Sequence, residues 1–296
     1  MIGETLAVCA ALAYGLAGVL IVRGKATARG DNGAFLSVVM TAVMSGLLWL
    51  GWGTVAVGDV VTAEGLRAVG IFALAGVLAN VFGRQSMYRA TEMIGAVRAG
   101  LLRRLTPLFV VPCAFVILGD IPDPVTLLGG GIVLTGVLIY MRMPKRMAPS
   151  APGAGLGLAL GVLSAVAYAL AYTFRGLGLD IAPDAALGTC IGALVGGVWI
   201  LVRAVGGKGV RHGWRHITAD RSPHHLQAAL ALTAGQLLQF FALKHATVLS
   251  VSVLGTLEVL FSALFVWLIT RSEPIAITRL LVASVMAMAG TALLVL

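Results

Sequence analysis

Residues 105–120 read LTPLFVVPCAFVILGD, and residues 257–273 read LEVLFSALFVWLITRSE. A shift of 152 places Leu105 on Leu257 and Phe109 on Phe261, and it also places Gly83 on Gly235 and Ala90 on Ala242. A shift of 154 places Tyr14 on Tyr168 and Gly136 on Gly290. The two registers drift by only two residues across half the chain. Internal duplication in a hydrophobic chain points to a transporter built from two repeats, with its binding site between them.

The composition requires a membrane. Of the 296 residues 59% are hydrophobic and 11% charged, against about 25% charge in a soluble domain. Mean hydropathy is +0.99. Glu4 precedes the first apolar run with no basic region before it, so no cleavable signal peptide is expected and the first span stays as a helix. Cys9, Cys113 and Cys190 fall inside apolar runs and are expected to pack as small hydrophobes, without disulfides. The net charge of +9 does not imply nucleic acid, because the basic residues cluster in short loops between apolar spans.

A span needs about 20 mainly apolar residues. Ten are read, at roughly 3–22, 34–57, 68–88, 94–118, 124–141, 155–174, 185–205, 226–245, 248–270 and 276–295. Polar segments such as RGKATARGDN and GDIPDP separate them, and RMPKRMAPSAPG at 142–153 is the seam between halves. The expected fold is therefore all-α and integral to the membrane, with ten transmembrane helices as two five-helix repeats, 1–147 and 153–296. Five is odd, so the second repeat enters the membrane inverted relative to the first. Fifteen basic residues fall in or beside the loops after spans 1, 3, 5, 7 and 9, Arg84 and Arg89 among them. The other side holds three, Arg67, Arg175 and Lys244. By the positive-inside rule the basic side is cytoplasmic and both termini face outward, in a bacterial-type cytoplasmic membrane. Glycines at four-residue steps (Gly153, Gly157, Gly161; Gly192, Gly196) let helix backbones approach closely.

Span 4 carries Arg98, Arg103 and Arg104 in a segment otherwise fit for lipid. Charges at such depth are costly and normally face a bundle interior or a wet cavity. At about 1.5 Å per residue, Arg104 sits near the bilayer midplane, and Glu258 in span 9 sits at a similar depth. One reading lines a substrate cavity with Arg103 or Arg104 and Glu258, the carboxylate able to carry a proton and the guanidinium an anionic group. The other is a structural ion pair between spans 4 and 9, with Arg98 reaching back to the surface. Asn80, Arg84 and Gln85 in span 3, and Gln236 and Gln239 in span 8, suit either a central site or interhelical hydrogen bonds. Tyr14 and Tyr168 hold equivalent places in spans 1 and 6, with Tyr172 one turn on, as cavity walls or as packing. Pro107 and Pro112 are expected to kink span 4. His212 and His216 are four apart, but no cysteine or carboxylate completes a metal set, and Trp214 makes their loop a headgroup anchor. No phosphate-cradling loop or nucleophile elbow is visible, so neither an enzyme nor a cofactor is expected.

The run YRATEMIGAVRAGLLRRLTPLFVVPCAFVILGD at 88–120 resembles the hallmark segment of EamA-type members of the drug/metabolite transporter superfamily. Ala90, Ile94, Gly95, Ala96, Arg98, Ala99, Leu105, Pro107, Phe109, Leu118 and Gly119 fit its pattern, and Asp120 replaces a glutamate. The second copy, LEVLF, departs from the family's LEPVF by Val259 in place of proline. The resemblance implies two inverted five-helix repeats around a cavity lined by spans 1, 3, 4, 6, 8 and 9. It also implies alternating-access export of small metabolites, commonly as proton antiport. The absent proline implies that span 9 bends less than span 4. The sequence thus points to a secondary transporter of a small polar metabolite of the amino-acid, amine or organic-anion class, with the lipid bilayer and protons as further partners. A lipid-headgroup flippase and a non-transporting scaffold or sensor are the alternatives.

Overall fold

The computed structural model describes residues 1–94, 102–140, 154–270 and 277–295. Arg98, the glycine-alanine part of the hallmark segment and the seam at 142–153 lie outside the described residues. All regular structure among those described is helical. The long helices are α1 (Ile2–Lys25), α2 (Ala34–Trp52), α3 (Ala63–Val77, a π-helical turn Leu78–Gly83, then Arg84–Ile94), α4 (Thr106–Leu118) and α5 (Pro124–Tyr140). They continue as α6 (Ala154–Ile181), α7 (Ala185–Lys208), α8 (Pro223–His245), α9 (Val248–Gly255, Glu258–Phe265 and a π-helical Val266–Thr270) and α10 (Ile277–Val295). A short helix, Val210–Ile217, lies between α7 and α8.

Among the described residues seven stretches are long and apolar enough to cross a membrane: Ile2–Lys25, Ala34–Trp52, Ala63–Met87, Ala154–Ile181, Ala185–Gly206, Pro223–His245 and Val248–Ile269. Thr106–Leu118, Pro124–Ile139 and Thr278–Leu294 are apolar but shorter. The helices also differ from expectation at particular ends. The third runs on past residue 88 to Ile94, so Arg89 belongs to a helix and not to a loop. The sixth extends to Ile181 and takes Arg175 inside it.

Burial is the reverse of a soluble protein's. The interior is rich in alanine, including Ala7, Ala11, Ala68, Ala169 and Ala242, whereas Leu47, Leu50, Val198, Val202, Val285 and Met288 lie exposed. In lipid there is no hydrophobic gain in hiding a leucine, so small residues take the interfaces and helices pack by close contact. The α5–α10 pair shows this best: a Cβ on Gly129 would stand 2.8 Å from the Gly290 carbonyl oxygen.

The helix pairing follows a pattern. α1 lies along α8 and touches α9, while α6 lies along α3 and touches α4. α2 packs on α7 and α8, and α7 on α3; α5 pairs with α10. Exchanging α1–α5 with α6–α10 turns each of these pairings into another of the set, or, for α2–α7 and α5–α10, into itself.

A carboxylate ties the halves together at each end of the bundle. Asp184 caps α7 through Leu187 N–H (2.9 Å) and accepts from the Thr54 and Val55 N–H groups at 2.7 and 3.2 Å. At the opposite end Asp220 accepts from the N–H groups of Arg29, Gly30 and Asn32 at 2.6, 3.0 and 2.7 Å. His225, beside it, joins the Asn32 side chain at 3.1 Å and the Ser222 hydroxyl at 3.0 Å. Gly33, in the left-handed region at φ 75°, lets the chain turn from this knot into α2, whose N-terminus Asp31 caps.

Burial alone would raise the Asp220 pKa, but the three loop N–H donors, helped by His225, hold it below the usual carboxylate range. Burial, with Asp220 nearby, instead pushes Asp31 up, against its own cap bonds and His216. A depressed carboxylate adds stability above its unfolded pKa and loses it as the pH falls through the folded one. Purified protein should therefore lose melting temperature on acidification below about pH 4. Asp220→Asn should start lower and show a flatter acid slope; equal slopes would remove the knot from the stability account.

Candidate functional site

Two helices break where the site lies. Arg104–Leu105 leads into α4, and Thr256–Leu257 divides α9; both are turns, 152 residues apart. In each the backbone tightens to i→i+3 bonds: Leu105 N–H to Leu102 C=O at 3.0 Å, and Leu257 N–H to Leu254 C=O at 3.0 Å. In each a threonine hydroxyl donates back to a carbonyl three residues earlier, Thr106 to Arg103 and Thr256 to Val253, both at 2.6 Å. Such back-bonding bends helices. Pro107 reinforces the first break, but the second forms without a proline.

The breaks bring opposite charges together. Arg104 Nη1 lies 3.2 Å from Glu258 Oε2, with side chains 12% and 22% exposed. Arg103, one residue earlier, places its guanidinium 4.7 Å over the Tyr168 ring. Tyr168 in turn packs on Gly83, and Tyr14 packs on Gly235, where an added Cβ would lie 3.0 and 2.9 Å from the respective rings. The tyrosines and glycines that the two sequence registers match thus meet crosswise, each ring against the other half's helix. Gln239 is the hub below them: its Oε1 accepts from Arg175 Nη1 at 2.7 Å and, at a long 3.5 Å, from the Tyr14 hydroxyl. Its amide donates to the Tyr172 hydroxyl at 2.5 Å.

These groups surround one cavity of about 500 Å³. Glu258, Arg104, Arg103, Gln236, Gln239, Asn80, Tyr14 and Tyr168, the residues singled out from sequence, all line it. Asn80 sits in the π-helical turn of α3 and donates to the Gly76 carbonyl (3.0 Å) and, across to α7, the Gly192 carbonyl (3.4 Å). The carbonyl of Gly83, at the end of that turn, accepts from the Ser164 hydroxyl at 2.8 Å. The cavity runs from Arg175 and Thr41 to Asp31, Asn32 and Gly33 of the α1–α2 loop. A second cavity, of about 570 Å³, shares Asp31, Asn80 and Arg84 with it and reaches Arg203 and His216. At the Asp184 end the bundle is packed, with Phe72 and Phe240 fully buried and their ring centroids 6.2 Å apart.

Arg175 is the residue that sequence reasoning misplaced. Charge counting assigns it to an outer loop, whereas the structure buries it to 7% exposure, between Gln239 and the rings of Tyr172 and Phe240. Its signal was periodicity: Tyr168, Tyr172 and Arg175 stand at i, i+4 and i+7 on one helix face. Arg84 likewise lines both cavities from within α3. Among the described residues no group of three His, Cys, Asp or Glu is placed to hold a metal ion.

With that geometry in view, residues 1–142 match the profile of the EamA-like transporter family. Over this stretch, just under half of the chain, the protein is similar to that family. It is a multi-pass membrane protein, as its apolar helices require. A solved structure, described only as a crystal structure of a protein, is similar over 98% of this chain and 94% of its own, at 15% identity and a TM-score of 0.69. At that identity the likeness speaks for the fold alone. No curated protein sequence matches the chain.

The Arg104–Glu258 pair has a direct test. Removing one partner leaves a charge at low dielectric without its counterion, which costs about 3–5 kcal/mol in buried pairs and less where water reaches. Arg104→Gln and Glu258→Gln should each lower the melting temperature in detergent, and the double variant should recover much of the loss. Additive losses in the double-mutant cycle would mean the two charges do not meet.

Proposed function

We propose that this EamA-like protein is a secondary transporter of small polar metabolites, working by alternating access at the cavity between its halves. In this reading residues 1–147 and 153–296 are inverted five-helix repeats. The observation that carries it is the cavity itself: polar side chains from both halves meet at two helix breaks that hold equivalent positions. The exchange symmetry of the helix pairing and the crosswise Tyr14–Gly235 and Tyr168–Gly83 contacts support the repeat. A scaffold would want a dry, mutually satisfied bundle, and about 500 Å³ of polar-lined space is a poor fit to that.

The bundle ends supply the gates. The knot on Asp220 and the cap on Asp184 each bind a loop of one half to the other half, at opposite ends. Opening one while the other closes would expose the cavity to one side at a time. The cavity reaches the loop end that charge counting assigns to the cytoplasm, which favours loading from inside and hence export. Glu258 is the carboxylate at the depth of the breaks. Exchange of its partner between Arg104 and a proton would couple transport to a proton gradient.

Uptake of a mixed metabolite pool into proteoliposomes, with and without an imposed proton gradient, tests this. Wild type should accumulate at least one small polar solute, and Glu258→Gln should reduce gradient-driven accumulation at least tenfold while still folding. A wild type that moves no soluble metabolite, but shifts lipid headgroups across the bilayer, would overturn the reading in favour of a flippase.

A further inference from the structure

Charge accounting inside the cavity goes one step beyond the transport reading, on which it rests. Among the described lining residues the cations are Arg84, Arg103, Arg104 and Arg175, and the acids are Asp31 and Glu258. Each acid is already engaged. Glu258 meets Arg104 at 3.2 Å. Asp31 stands at the mouth and accepts from the Gly33 and Phe35 N–H groups at 3.1 and 2.7 Å. Arg175 is turned to Gln239 and the Tyr172 and Phe240 faces. No carboxylate lies within ion-pair reach of Arg84, Arg103 or Arg175 among the described residues.

Guanidinium groups at membrane depth are costly unless paired or wet. The cavity supplies water in the empty state, since about 500 Å³ holds on the order of fifteen molecules. Its acids among the described residues are already engaged, Glu258 by Arg104 and Asp31 by its helix cap. Arg103 is the group best prepared for one. The Tyr168 ring holds its guanidinium in place from one face. The side chain donates no hydrogen bond to any described residue, so its planar fork of N–H donors remains available to the cavity. Gln236 and the Tyr172 hydroxyl, which accepts from Gln239 and keeps its own O–H, line the same space and offer donors to the rest of a polar solute.

We propose that the cavity takes organic anions and that Arg103, steadied on Tyr168, is the residue that grips the anionic group. A guanidinium fork fits either a carboxylate or a phosphate through two parallel hydrogen bonds. A lipophilic or polyamine cation would instead enter a site whose uncompensated charges all share its sign. Tyr168 is a positioning residue here, acting through Arg103.

The probes are succinate, glycerol 3-phosphate, glycerol and 1,4-diaminobutane, applied to the purified full chain, with binding read by thermal shift and by uptake into proteoliposomes. Succinate or glycerol 3-phosphate should bind, the stronger of the two naming the carboxylate or phosphate arm. Glycerol and the diamine should not. Arg103→Gln should weaken anion binding at least tenfold. Arg103→Lys, which keeps the charge and loses the fork, should fall between, and this milder variant guards against a folding defect in the first. Tyr168→Leu should weaken binding less than Arg103→Gln does. Failure of both anions to bind, or equal anion affinity in wild type and Arg103→Gln, would overturn the proposal. Uptake of glycerol or the diamine in that case would leave the transport reading standing.

Discussion

A charge at the depth of a bilayer's centre must be answered there, by an opposite charge, a π face, a hydrogen-bond acceptor or water. Arg103, Arg104, Arg175 and Glu258 set that requirement, and the surrounding architecture meets it. Two helices break so that Arg104 and Glu258 can face each other from different halves. A tyrosine lies under Arg103, a glutamine and two aromatic rings take up Arg175, and a cavity keeps the remaining donors wet. Glycines at 83 and 235 make room for the rings that complete the walls. The packing that would be ordinary in a lipid-embedded bundle, small residues inside and large ones outside, is here interrupted in one place.

That interruption also says where the molecule can move. Breaks in α9 and before α4 replace i→i+4 backbone bonds by tighter ones at a point where threonine hydroxyls already compete for the carbonyls. Helices divided in this way can tilt their two segments separately. The end knots work in the opposite sense. Asp184 and Asp220 each gather backbone N–H groups from a loop of the other half, so a carboxylate cluster joins the halves at each end. One charge-assisted cluster per end is a workable design for gates that must both hold and release.

Much of this was legible in the chain. Hydropathy located most helices to within a few residues, because lipid imposes an apolar length that composition records directly. The eight candidate residues line one cavity because polar groups inside such spans have few places to go. The misses share a cause, which is treating charge as a boundary. Arg175 closes an apolar run and was counted as loop, yet α6 continues past it to Ile181. Arg89 falls beyond the third span for the same reason, yet that helix runs on to Ile94. The break in α9 was illegible because it rests on Thr256 and local i→i+3 bonding, with no proline to announce it. Asp220 gave no signal either, since its role depends on three N–H groups some 190 residues away.

The central claim is that one cavity is reached from the two sides in turn. A single cysteine at Gln236, in a chain with Cys9, Cys113 and Cys190 replaced by alanine, measures this most directly. A membrane-impermeant thiol reagent is applied to reconstituted protein from one side or the other. The account predicts labelling from the Asp31 side at rest, and new labelling from the Asp184 side when Asp184→Asn weakens that end. Labelling from one side only in both proteins, or from neither, would contradict it.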